Sequence, residues 1–106
     1  MKLDRFNQIL DDTLGQMRKV MTAKREEYAG DYDVLRNFKE SAYMEGNTPE
    51  DALRGMLLKH WTSIRDLCRE EKPDLAKVEE KLGDAQNYLV LLKALLIERT
   101  EGENKK

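Results

Sequence analysis

Glu80, Asp84 and Asn87 stand at i, i+4 and i+7, a spacing that brings three polar side chains to one side of an α-helix. Lys59, Ser63 and Asp66 repeat that spacing earlier in the chain, with His60 beside them. Two such rows facing each other across a helix pair would make a polar cleft. Mg²⁺ keeps several waters and takes one or two protein carboxylates together with substrate phosphates, and a lysine neutralises phosphate as a point charge. Glu80 and Asp84 are thus the candidate metal ligands and Lys59 the candidate phosphate contact. The competing reading is a solvated face. On a chain that is 38% charged such spacings arise often, and Glu/Lys neighbours on a helix surface contribute only about 0.2–0.5 kcal/mol.

Other groups give weaker signals. Tyr28, Asp31, Tyr32 and Asp33, followed by Arg36, surround the turn at Gly30, where the rings can stack on a base or simply pack under the turn while Asp33 caps the next helix. His60 alone is a partly exposed helix residue before it is a catalytic base, because one His and one Cys support no nucleophilic triad. Trp61 is expected in the core, and Cys68 as a small buried apolar residue. Glu26 and Glu27 read as a solvent-facing pair, with metal binding as the alternative.

The elements that must position these groups follow from apolar periodicity. Leu3, Phe6, Ile9, Leu10, Leu14, Met17, Val20 and Met21 mark one face of a helix running to about Tyr28, before the break at Gly30. Val34, Leu35, Phe38, Ala42 and Tyr43 give a shorter helix fading at Gly46. Thr48, Pro49, Glu50 and Asp51 read as a helix start, with Thr48 as the cap, Pro49 in the first turn and carboxylates facing the positive end of the dipole. That third helix carries Leu53, Met56, Leu57, Trp61, Ile64 and Leu67, and ends near Glu70 ahead of Pro73. The fourth begins at about Pro73 or Asp74, with a stripe of Leu75, Val78, Leu82, Ala85, Leu89, Leu92 and Leu96. A second row of Tyr88, Leu91 and Leu95 beside it implies burial on a wide arc. The expectation is one all-α, four-helix, bundle-like domain over residues 1–99, with a frayed polar tail over 100–106.

Composition narrows the partners. Lys plus Arg number 19 and Asp plus Glu 21, a net charge of −2, so no global field draws in nucleic acid or an acidic membrane. No stretch approaches the ~18 apolar residues that span a bilayer, and the charged N-terminus is unlike a signal peptide. A reducing cytoplasm is the expected compartment, since Cys68 has no internal disulfide partner.

Three stretches carry a family resemblance: Tyr28 to Phe38; Gly55-Met56-Leu57-Leu58-Lys59-His60 with Ser63 and Asp66; and Glu80-Lys81-Leu82-Gly83-Asp84-Ala85-Gln86-Asn87-Tyr88-Leu89. Together they resemble small phage and prophage proteins of the nucleotide modification associated domain and the MazG-like all-α NTP pyrophosphatases, over about residues 24–99. The resemblance implies a helical bundle often completed by a second subunit, and Mg²⁺-dependent cleavage of a nucleoside triphosphate to monophosphate and pyrophosphate. Glu80 and Asp84 would then be the catalytic metal ligands. Lys59 would grip phosphate, Asn87 or Tyr88 would orient the sugar or base, and His60 and Ser63 would complete the substrate-binding residues. The chain departs from the family's paired ExxE and ExxD motifs. Lys59 and Ser63 stand where the first is sought, and Lys81 lies three before Asp84, with Glu80 one step off. Two further readings stay open: a non-catalytic nucleotide- or partner-binding module in which Lys59 pairs with Asp84, and a homodimer built on the leucine stripe of the fourth helix.

Overall fold

The computed structural model describes residues 1–22 and 33–104. The described chain is all-α and bundle-like in its elements, with four helices and no strand among the described residues. It divides into two compact units, Met1–Tyr32 and Asp33–Lys106, where the sequence suggests one domain.

The first unit contains α1, Leu3–Thr22. Asp4 in its first turn and Lys19 in its last complement the helix dipole, and the Thr22 hydroxyl donates to the Arg18 carbonyl at 2.6 Å. None of its residues is buried, and Leu3, Phe6, Leu10, Leu14 and Val20 are exposed. The expected continuation to Tyr28, the turn at Gly30 and the Glu26 and Glu27 pair lie outside the described residues.

The second unit is built from α2, Arg36–Glu45, α3, Pro49–Cys68, and α4, Leu75–Asn104. Asp33 prepares α2 from outside it. Its carboxylate accepts the Leu35 amide at 2.9 Å and its carbonyl the Arg36 amide at 3.1 Å. The helix ends at Gly46, whose φ of 72° is the left-handed conformation that glycine alone adopts without cost. The Asn47 amide reaches back to the Ala42 carbonyl at 3.0 Å, the wide loop of a Schellman turn. Two residues on, the Thr48 hydroxyl accepts the Asp51 amide at 3.1 Å with Pro49 in the first turn, as the sequence predicts. At the other end of α3 the Arg69 and Glu70 amides bond to the carbonyls three residues back, a tightening that ends the helix before Pro73.

Leu53 on α3 is fully buried, against Leu35 and Phe38 from the α2 end and Leu95 on α4. Met56, Tyr88, Leu91, Leu92 and Ala94 pack around this cluster. On α4 the row of Tyr88, Leu91 and Leu95 therefore faces the core. The stripe beside it is buried only at Ala85, while Leu75, Leu89 and Leu96 are exposed: within this unit α2 and α3 cover one side of α4, not the wide arc. The helix also continues through Thr100, whose hydroxyl donates to Leu96 at 3.1 Å, to Asn104, where a frayed tail is expected. Extending a formed helix fixes one residue per added bond, which a polar but helix-compatible sequence sustains. Among the described residues no helix is long and apolar enough to cross a membrane.

Two ion-pair clasps tie the far end of α4 to its neighbours. The Lys39 ammonium lies 2.6 Å from both Asp33 and Glu98, and Arg99 lies 3.0 Å from Glu50, whose side chain is only 12% exposed. Lys39 holds the Asp33 carboxyl below its ordinary value despite partial burial, and Asp33 first, then Glu98, hold the Lys39 ammonium above its own.

Two predictions follow from these contacts. Thr48→Ala should lower stability by about 1 kcal/mol, read as a fall in urea midpoint at unchanged slope. Asp33 contributes stability above its unfolded value of about 3.9, lost as pH falls through the lowered folded value; Lys39 contributes below about 10.4, lost as pH rises through the raised one. Lys39→Met should flatten both flanks of a stability-against-pH curve. Because these side chains are more than a third exposed, the loss at pH 7 should stay under about 1 kcal/mol and shrink with added salt.

Candidate functional site

Helices α3 and α4 run past each other so that His60 meets Asp84 and Tyr88. The His60 Nδ1 lies 3.7 Å from Asp84 Oδ2, an electrostatic approach longer than a hydrogen bond. The imidazole and the Tyr88 ring have centroids 5.0 Å apart, tilted at 36°. Behind them Phe38 of α2 meets the Tyr88 ring edge-on, at 6.3 Å and 70°, the arrangement that aromatic quadrupoles favour. The phenol ring is thus held from two sides, while His60 is 26% and Asp84 46% exposed. One turn on from Asp84, the Asn87 Oδ1 is buried without a hydrogen-bond partner, an arrangement that costs free energy unless a partner arrives.

Of the residues singled out from sequence, the fold gathers His60, Asp84 and Tyr88, with Asn87 at their margin. Ser63 is half-buried, and its hydroxyl donates weakly to the Lys59 carbonyl at 3.4 Å. Lys59 is exposed and makes no ion pair among the described residues. The Lys59 to Asp84 pair does not form; His60 takes that place. Glu80 is 63% exposed, with its carboxylate 3.4 Å from Lys81. Among the described residues no three carboxylate, imidazole or thiol side chains come together in a way that could hold a metal ion. Asp84 is the carboxylate shown beside His60, while the Glu80 carboxylate, one turn before it, lies against Lys81.

No protein-family model, curated protein or solved structure matches the chain.

Three placements were missed or misjudged from sequence. Trp61 is 63% exposed, not core, because it sits one residue, about 100° of helix rotation, past His60 and so turns away from α4. Cys68 is exposed rather than buried, because it lies about 100° of helix rotation past the buried Leu67. Phe38 as the back wall of the Tyr88 ring carries no sequence signal beyond its apolar period. His60, by contrast, could have been placed: it lies seven residues after Leu53 and four before Ile64, both buried, and so belongs to the inward stripe. Lys59, one step away, does not.

Tyr88→Ala should cost about 3 kcal/mol, since it deletes the ring on which Phe38 and His60 both rest. Asp84→Asn, half-exposed and isosteric, should stay within about 0.5–1 kcal/mol of the parent. Urea denaturation of the two variants checks this; equal large losses would make Asp84 a structural residue instead.

Proposed function

We propose that the chain is a nucleotide-binding module that uses the notch formed by His60, Asp84, Tyr88 and Asn87. The observation that carries this reading is the buried, unpartnered Asn87 carbonyl oxygen one turn from the Asp84 carboxylate. A carboxylate beside an imidazole and a phenol ring, with a second acceptor one helical turn on, suits a nucleobase, whose amino and imino groups donate along one edge while its ring stacks. Lys59, exposed on the neighbouring face of α3, would reach phosphate as a point charge. Mg²⁺ would enter with the phosphates of the ligand, with Asp84 as the available protein carboxylate. Turnover by a two-metal route is not part of this reading, which needs only the one carboxylate beside His60.

A second reading, an assembly module that packs helix faces against a partner, is favoured by a separate observation. Leu3, Phe6, Leu10, Leu14 and Val20 on α1, and Leu75, Leu89, Val90, Leu96 and Ile97 on α4, are all exposed, more apolar surface than an isolated domain of this size needs to show.

A thermal-shift series with the common NTPs and dNTPs, each with and without Mg²⁺, tests the first reading. A ligand at 100 times its Kd should stabilise the native state by about 2.7 kcal/mol. The shift should vanish in Asn87→Leu and weaken in Asp84→Asn while both stay folded. Pyrophosphate release accompanying the shift would show an enzyme after all, and no shift with any nucleotide at millimolar concentration would remove the nucleotide from consideration.

A further inference from the structure

We infer that two copies of this chain associate through the outer face of α4, antiparallel, with Gln86 on the two-fold axis. The inference does not depend on the nucleotide reading. The outer row of α4 is Leu75, Glu79, Leu82, Gln86, Val90, Lys93 and Ile97, separated by three or four residues throughout, so these positions share one side of the helix. Glu79, Val90, Lys93, Leu75 and Ile97 are exposed and Leu82 and Gln86 half-buried. Neither Glu79 nor Lys93 forms an ion pair among the described residues.

The row is chemically symmetric about its centre. Leu82 and Val90 lie four residues either side of Gln86, Glu79 and Lys93 seven, and Leu75 and Ile97 eleven. A two-fold axis at Gln86 therefore sets Glu79 against Lys93 of the second copy twice over. It also sets Leu82 against Val90, Leu75 against Ile97, and the two Gln86 amides against each other, where each can donate to and accept from the other. An isologous interface requires this kind of self-complementarity. A parallel pairing would oppose Glu79 to Glu79 and Lys93 to Lys93, like charges that repel.

An apolar concavity lies beside the C-terminal half of this row. An open groove of about 360 Å³ is lined by Leu89, Leu92, Lys93, Leu96, Ile97 and Thr100, in the C-terminal half of the row. In the antiparallel register it receives the N-terminal half of the second copy's α4, with Leu75, Val78 and Glu79. The seam from Leu75 to Ile97 is about 33 Å long at 1.5 Å per residue and about 10 Å wide. An area of that order lies below the roughly 1,200 Å² of total burial expected of a tight interface. A seam of this size suits a reversible association rather than an obligate dimer.

Sedimentation velocity of the full chain from 5 to 200 µM, in a Cys68→Ser background, tests this. The parent should pass from monomer to dimer across that range. Glu79→Lys and Lys93→Glu should each weaken the dimer about tenfold or more, and the double reversal should restore it to within about threefold. Gln86→Cys should form a disulfide-linked dimer on mild oxidation, whereas Glu79→Cys alone should not. Far-UV circular dichroism should be unchanged in all variants, since none of these side chains is in the core. A monomer at 200 µM would overturn the inference. So would a dimer that ignores both charge reversals, and in that case dissociation by Leu10→Asp would move the interface to α1.

Discussion

The packing of Leu53 against Leu35, Phe38 and Leu95 is the contact through which α2, α3 and α4 become one body. Among the described residues Leu53 is the large side chain of the core that solvent does not touch at all, and it sits one turn inside the Thr48 cap. Once it is seated, the rotation and the register of α3 are both fixed. His60, two turns further along the same face, then lies opposite Asp84 and Tyr88, and Glu50, one turn back, lies opposite Arg99. The polar notch and the ion-pair clasps are consequences of one apolar contact rather than independent features.

That dependence explains what could be read in the sequence. Helix ends were legible where they rest on local chemistry: the Thr48 and Pro49 start, the left-handed Gly46, the stop before Pro73. Which face of each helix turns inward on α3 was also written in the spacing of Leu53, Met56, Ile64 and Leu67, and that spacing includes His60. The choice between the two apolar rows of α4 was not legible. It depends on how many helices cover α4, and α2 and α3 lie against the Tyr88, Leu91 and Leu95 row only. Large apolar residues misled for the same reason. Trp61 is hydrophobic by type, but its burial is set by the rotation that Leu53 imposes.

The candidate site was half legible. His60, Asp84 and Tyr88 come together, with Asn87 one turn on from Asp84, while Lys59 and Glu80 are exposed. The three residues of the row lie within about 60° of one another around the helix, so spacing alone did not separate the exposed Glu80 from Asn87, whose Oδ1 is buried. α4 thereby has two distinct sides. One supplies the notch and the core; the other presents an alternation of apolar and charged groups that its own unit leaves uncovered.

The connectivity of α2, α3 and α4 also bears on how the chain reaches this state. The turn at Gly46 and Asn47 joins α2 to α3, and the turn around Pro73 joins α3 to α4, so the two most extensive packed pairs are neighbours in sequence, and only a few contacts, such as Phe38 with Tyr88 and Lys39 with Glu98, reach from α2 to α4. Little loop entropy must be given up before Leu53 finds Phe38, or Tyr88 finds His60. Topologies of this kind, with contacts that are short in sequence, fold in microseconds to milliseconds, so the search for the native state is brief and the time during which core side chains lie exposed is short.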